Sequence, residues 1–204
     1  NAMLYIRGQK EDYDHWAELG NTGWGFDDVL PYFKAMQHQE RGEDDYHGTG
    51  GPLNVADSRS KLPVNDDFIL AAQQAGFPLN PDFNGPEQEG IGYYQVTQKD
   101  GYRLSAAKAF LTPHLQRKNL KVLTNVQVEK LQLSGKQVTG ISYLSRGKRY
   151  HLNAAKEVIL SAGAFNSPQL LMLSGIGPEK ELRRHDIEVK HALKGVGQNL
   201  QDHV

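Results

Sequence analysis

Residues 161–177 read Ser161-Ala-Gly-Ala-Phe-Asn-Ser-Pro-Gln-Leu-Leu-Met-Leu-Ser-Gly-Ile-Gly177. They follow a short apolar run, Glu157-Val158-Ile159-Leu160-Ser161. That order predicts a strand, a tight turn at Ala162-Gly163, and a helix with Ser167 as N-cap and Pro168 at N1, stopped by Gly175. Strand, glycine turn and helix start form half of a dinucleotide-type βαβ unit, whose first helical N–H groups face an anion. Gly163 and Ala164 let the backbone approach a ligand closely. The same residues also make an ordinary strand–helix connection, and alone they do not separate the two readings.

Downstream, Pro178 opens a second helix at about 178–185, residues 187–193 suit a strand, and Gly195-Val196-Gly197 is a turn. Upstream, 120–133, 137–145 and 149–153 alternate as strands around Ser134-Gly135-Lys136 and Arg146-Gly147-Lys148. That is a β-meander with short hairpin loops. The composition changes near residue 119. Before it, helical patterns at 26–38, 65–75 and 105–117 alternate with turn-rich stretches at 39–63 and 77–103. Asn65 and Ser105 read as N-caps and Gly76 as a C′ stop, while Pro113 should break the third helix. Pro31 suits a first turn better than a helix interior. Loops as long as these two are functional or pack against something else.

Composition narrows the chemistry. The chain has 204 residues, 23 Lys+Arg against 24 Asp+Glu, a formal net charge of -1, 21 glycines and no cysteine. Disulfides, thiolate metal sites and thiol catalysis are excluded. The near-neutral balance and dispersed basic residues argue against nucleic acid as a partner. No apolar run approaches the ~18 residues of a membrane span. There is no Gly-x-Gly-x-x-Gly loop, no Walker loop, no Gly-x-Ser-x-Gly elbow and no His-Glu-x-x-His pair, so no metal site is expected. Of the eight histidines, His47 and His203 stand in Gly- or Asp-rich contexts, and the others read as solvated. Trp16, Trp24, Phe26, Tyr32 and Phe33 read as core.

The chain resembles, from end to end, the middle of the glucose–methanol–choline (GMC) family of flavoprotein oxidoreductases, and within it the bacterial choline-oxidising branch. Gly163 to Gly177 matches the family's second signature at every defined position. Asn1-Ala-Met-Leu-Tyr-Ile-Arg-Gly8 is similar to the tail of the first signature. Further landmarks are Asp12-Tyr-Asp-His-Trp16, Tyr46-His-Gly-Thr-Gly-Gly-Pro-Leu53, Asp82-Phe-Asn-Gly85, Gly101-Tyr-Arg-Leu-Ser-Ala-Ala107 and Gly195-Val-Gly-Gln-Asn-Leu-Gln-Asp-His203.

The resemblance implies an α/β fold, α+β in the excised piece: part of a Rossmann-type FAD domain with a β-meander, plus part of the GMC substrate domain. It divides the chain into 1–38 (first-signature tail and linking helices), 39–103 (substrate side) and 104–204 (FAD side). It implies FAD as cofactor, with Val128 and Ser161-Ala162-Gly163 on the adenosine side and Asn1 and Ala2 beside the isoalloxazine. It implies oxidation of a small alcohol, choline to betaine aldehyde, with hydride passing to flavin N5. Sibling members oxidise other alcohols or polyglycols, or act as hydroxynitrile lyases. The family's catalytic histidine has no match here, so no catalytic residue is assigned. Both ends look cut. The piece alone is therefore expected to be inactive without tight FAD binding, with self-association or a purely interacting role as further readings. The expected compartment is the cytoplasm, with membrane association of the parent left open.

Overall fold

The computed structural model describes residues 2–201. They form two compact units that divide between Lys121 and Val122. Helices and strands are mixed throughout, as the α/β reading expects.

The first unit opens with an extended segment, then helices α1 (Lys10–Glu18) and α2 (Phe26–Met36). Asp14 on α1 accepts the Phe26 N–H at 2.9 Å, so one helix caps the next. That backbone hydrogen bond is the main reason the Asp14 carboxyl sits below its ordinary pKa. Pro31 lies inside α2 rather than in its first turn. Strand β1 (Gln37–Gln39) follows directly and pairs in parallel with β2 (Leu53–Asp57). Helix α3 (Pro63–Gln74) starts two residues before the expected Asn65 cap, because Pro63 takes N1 and Leu62 the cap position. Gly76 follows its C-cap in the left-handed region, as expected. Strand β3 (Gln95–Val96) pairs antiparallel with β2, and β4 (Gln98–Lys99) with β5 (Tyr102–Arg103). The segment after Ser105 is one π turn at Ala107–Leu111 and a 3-10 turn at Thr112–His114. The Ser105 Oγ caps it by accepting the Lys108 N–H at 3.3 Å, and Pro113 ends regular helix there.

The aromatic reading of this unit is corrected in part. Tyr13 and Phe26 are buried, but Trp16 and Trp24 are 45% and 54% exposed and Tyr32 is exposed too. The two tryptophans stack edge to face at 6.0 Å on the outside of the helix pair.

The second unit is the β-meander β6 (Val126–Ser134), β7 (Gln137–Ser145) and β8 (Lys148–Asn153). The β7–β8 turn places Arg146 and Gly147 at φ +49° and +74°, the doubly left-handed form that a tight hairpin favours. Strand β6 carries a bulge: Val128 pairs with Tyr143 and Lys130 with Ser142, leaving Glu129 as the extra residue. A second register shift follows between Gln132 and Leu133. Helix α4 (Gly163–Leu173) packs on β6, where Leu131, Leu170 and Ile176 form the core with Val128, Leu133, Val158 and Leu160 around them. Ser174 joins the layers, accepting the Leu131 N–H at 2.8 Å and donating to the Leu170 carbonyl at 2.6 Å.

Three expectations change here. Residues 157–161 carry no strand ladder; Val158 and Leu160 pack against the core, and among the described residues no strand pairs with the run. Helix α4 begins at Gly163 with Ala162 at the cap, four residues before Ser167. Ser167 instead reaches back and its Oγ accepts the Ala162 N–H at 3.1 Å, and Pro168 lies within the helix. Pro178 caps the short α5 (Glu179–Arg184), and 187–193 shrinks to β10 (His191–Ala192), parallel to β9 (Ile176–Gly177). Among the described residues no helix is long and apolar enough to cross a membrane.

Candidate functional site

In the second unit, Ser161, Ala162 and Gly163 form the exposed entry to α4. Gly163 sits at φ +90°, with open space where a side chain would project. That conformation turns an extended segment into a helix within one residue. The first N–H groups of α4 have no intrahelical acceptor and carry the positive end of its dipole. Ile159 and Phe165, flanking the turn, are 78% and 74% exposed. Val128 is half-buried on β6 and packs against the cluster that also holds Val158 and Leu160. Val128 thus packs on the same apolar cluster as Val158 and Leu160, which lead directly into the 161–163 turn. This donor set suits the adenosine side of a dinucleotide: backbone N–H groups, open space at a glycine, and apolar surface beside them.

In the first unit, Ala2 is exposed, and Asn1 lies outside the described residues. Ala2, Met3 and Leu4 edge a groove of about 580 Å³ with Phe68, Ile69, Ile91, Tyr93 and Tyr94. Lys61 Nζ lies 4.5 Å from the Tyr93 ring centre, so this aromatic face already receives a cation. The Tyr93 hydroxyl donates to Asp66 at 2.7 Å, which pushes its pKa up.

Beneath that segment lies a buried polar network. His47 is 1% exposed. Its Nε2–H donates to Asp82 Oδ2 at 2.8 Å, and Nδ1 faces the side-chain amides of Gln37 and Gln39 at 3.1 and 3.3 Å. With a carboxylate accepting at Nε2, Nδ1 is left to accept an amide N–H. Gln39 and Gln95 exchange a pair of amide bonds at 2.7 and 3.0 Å, and Gln95 donates on to Asp57 at 2.9 Å. Asp57 also meets Arg41 at 2.8 Å. Burial pushes the Asp57 and Asp82 carboxyls up, but hydrogen bonds outweigh it and hold both below their ordinary value: Gln95 and Arg41 at Asp57, His47 and the Asn84 N–H at Asp82. Asp44, His47 and Asp82 stand close enough to suggest a cation site, but Asp44 Oδ1, His47 Nε2 and both Asp82 carboxylate oxygens are engaged in the protein's own hydrogen bonds. Among the described residues no buried side-chain polar atom lacks a partner.

Sequence reasoning singled out His47 but not its partners. A signal for one of them, Asp82, was available. Asn80, Asp82 and Asn84 alternate, and each of the first two accepts the N–H two residues on, at 2.8 and 3.0 Å. That is the Asx-turn habit of these side chains. Gln37, Gln39 and Gln95 carry no such mark. His203 lies outside the described residues.

A fold of this kind, with a glycine-opened helix beside a meander, belongs to a known class. The chain is a member of the GMC oxidoreductase family, whose model matches residues 1–204. It is 47% identical over its full length to the mitochondrial choline dehydrogenase of Homo sapiens, covering 34% of that protein. It is 47% identical to the oxygen-dependent choline dehydrogenase of Sinorhizobium medicae, covering 37% of it, and 44% identical to an alcohol dehydrogenase (acceptor) of Pseudomonas putida, covering 38%. Among solved structures, an FAD-dependent oxidoreductase from Chaetomium thermophilum matches 99% of the chain with a TM-score of 0.92 at 32% identity, covering 37% of that chain. The chain thus spans little more than a third of the length of the relatives it matches.

Proposed function

We propose that this chain is the central part of an FAD-dependent alcohol dehydrogenase that oxidises choline to betaine aldehyde. The observation that carries the reading is identity of 44–47% over every residue to choline dehydrogenases of bacteria and mammals. Bound FAD supplies a two-electron acceptor for the hydride leaving the alcohol carbon. This chain's part is to bind and orient. The N–H groups opening α4 and the Ser161-Ala162-Gly163 turn hold the adenosine–diphosphate side, and Val128 lines the adenine. Asn1 and Ala2 flank the isoalloxazine, and the stretch 39–103 belongs to the substrate side. Proton removal falls to no residue of this chain.

The Pseudomonas putida relative favours a second reading in which the substrate is another alcohol. Full-length enzyme with an artificial electron acceptor separates them. Choline should bleach the flavin band; bleaching by another alcohol and not by choline would overturn the choline assignment. The 204-residue chain by itself should purify without a stoichiometric flavin band, since it holds no Gly-x-Gly-x-x-Gly loop. Exposed apolar side chains such as Ile159 and Phe165 give it a surface for self-association, read by light scattering. The compartment proposed is the cytoplasm, with or without attachment to a membrane.

A further inference from the structure

The Tyr46-His-Gly-Thr-Gly-Gly landmark has no part in the cofactor contacts assigned above, yet His47 at its centre is among the most buried side chains of the molecule. Two routes of hydrogen bonds leave this imidazole and meet again at Arg7. One runs through Asp82, whose Oδ1 accepts the Asn84 N–H at 3.0 Å. The Asn84 side chain then accepts the Arg7 N–H at 2.7 Å and donates to the Tyr5 carbonyl at 3.1 Å. The other runs through Gln37, whose Oε1 accepts from the Arg7 guanidinium. That guanidinium also donates to the Tyr46 carbonyl at 2.7 Å, next to His47. The bonds close a ring around His47.

The segment so held is continuous with Ala2. Met3 stands at φ +67°, and its carbonyl accepts the Thr97 N–H at 2.8 Å. Tyr5 donates to the Gln95 carbonyl at 2.9 Å, and Gln88 donates to the Arg7 carbonyl at 2.9 Å. The backbone from Met3 to Arg7 is thus pinned on both edges, and the 82–84 turn supplies one of those edges. Without His47, Asp82 loses its Oδ2 donor in a half-buried place and the carboxylate must turn to find another. The Asx turn and the Asn84 amide move with it.

We propose that His47 is a positioning residue for the flavin-ring segment: through Asp82 and Asn84 it holds Tyr5–Arg7, and with them Ala2, in register. This rests on the placement of Ala2 beside the isoalloxazine made above. A buried imidazole that does no chemistry sets where the reacting ring lies, so its loss appears in the chemical step and not in substrate affinity.

The test uses the full-length flavoenzyme with three variants, His47→Ala, His47→Gln and Asn84→Asp. Visible circular dichroism of the bound flavin is read without substrate, and kcat and KM are measured per bound flavin. His47→Ala should alter the flavin dichroism and lower kcat by roughly tenfold to a hundredfold, with KM changed less than about twofold. His47→Gln keeps an N–H for Asp82 and should restore the dichroism and most of kcat. Asn84→Asp, close to isosteric, should reproduce the spectral change of His47→Ala by losing the Tyr5 bond, and it decides the matter if His47→Ala fails to fold. Parental dichroism and kcat in His47→Ala, or in Asn84→Asp when the alanine variant does not fold, would overturn the proposal, as would a glutamine variant as impaired as the alanine one. The spectral comparison needs no alcohol, so an error in the substrate leaves it intact. A parent without flavin would overturn both readings together.

Discussion

The two units share apolar burial, the first at Val55, Ala56, Phe83 and Val96, and differ in how much polar bonding is buried with it. In the first, Arg7, Gln37, Gln39, His47, Asn80, Asn84 and Gln95 are buried polar residues, and their bonds join distant parts of the chain: Arg7 and Asn84 are 77 positions apart. In the second, the buried centre is Leu131, Leu170 and Ile176, and the strands around it pair with their neighbours in sequence. A polar network specifies one geometry because each bond is directional, and it tolerates little because an unmet buried group is expensive. An apolar cluster is bound by area and shape and accepts volume-conserving changes.

Removing a hub on each side should widen the contrast most. Arg7→Met orphans the Tyr46 carbonyl and the Gln37 amide, and should cost about 4 kcal/mol in urea unfolding. Trp16 and Trp24, the two tryptophans of the chain, both lie in the first unit, so intrinsic fluorescence reads that loss. Leu131→Ala should cost about 3 kcal/mol through the cavity it leaves, read as faster amide exchange in 126–153. Leu131→Met should restore most of it, whereas Arg7→Lys should not, because an ammonium cannot reproduce the guanidinium's fork. Equal rescue at both sites would break the comparison.

Acid should separate the units next. The Asp57 and Asp82 carboxyls are held below their ordinary value of 3.8 in the folded state. Their contribution is therefore complete above that value and is lost as pH falls through the depressed folded values. The tryptophan signal should show this acid-dependent loss, and Asp82→Asn should remove its part of the slope. The smallest effect belongs to Arg149, whose bidentate contact with Glu129 joins β8 to β6 on an exposed face. Arg149→Ala should leave the unfolding midpoint unchanged, since exposed pairs are screened and floppy; a clear drop would mean that the meander, too, leans on directional bonds.

The same contrast explains what was legible. The meander was readable because its information is local: alternation along 126–145, Gly135 and Gly147 at the turns. Residues 157–161 misled for a related reason. An apolar run shows that a segment is buried on one side, but a ladder needs a neighbour that the run does not name. The entry to α4 was displaced because Ser167 and Pro168 look like a helix start in isolation, while Ser167 in fact acts backwards on Ala162. The first unit's polar ring could be glimpsed at Asn80-x-Asp82-x-Asn84, whose turns are local, and was invisible at Gln37, Gln39 and Gln95, where each amide finds its partner across the fold. Of the cofactor residues, the resemblance supplied all; the structure adds that Gly163 has the backbone form and the empty space such a turn requires.

The bulge at Glu129 has a consequence for length. Counting by twos from Leu133 and Leu131 along β6 leads to Glu129, and Val128 would face the other way. One unpaired residue resets the count, so that Val128 joins Leu131 and Leu133 on the same side. The strand therefore stores a parity as well as a sequence. Position 129 can change its letter freely, and its deletion would put Val128 two positions before Leu131, on the same face by plain alternation; straightening the strand with residue 129 in place is what would turn Val128 outward. In this strand the bulge, and not the letters alone, decides which residues face the core.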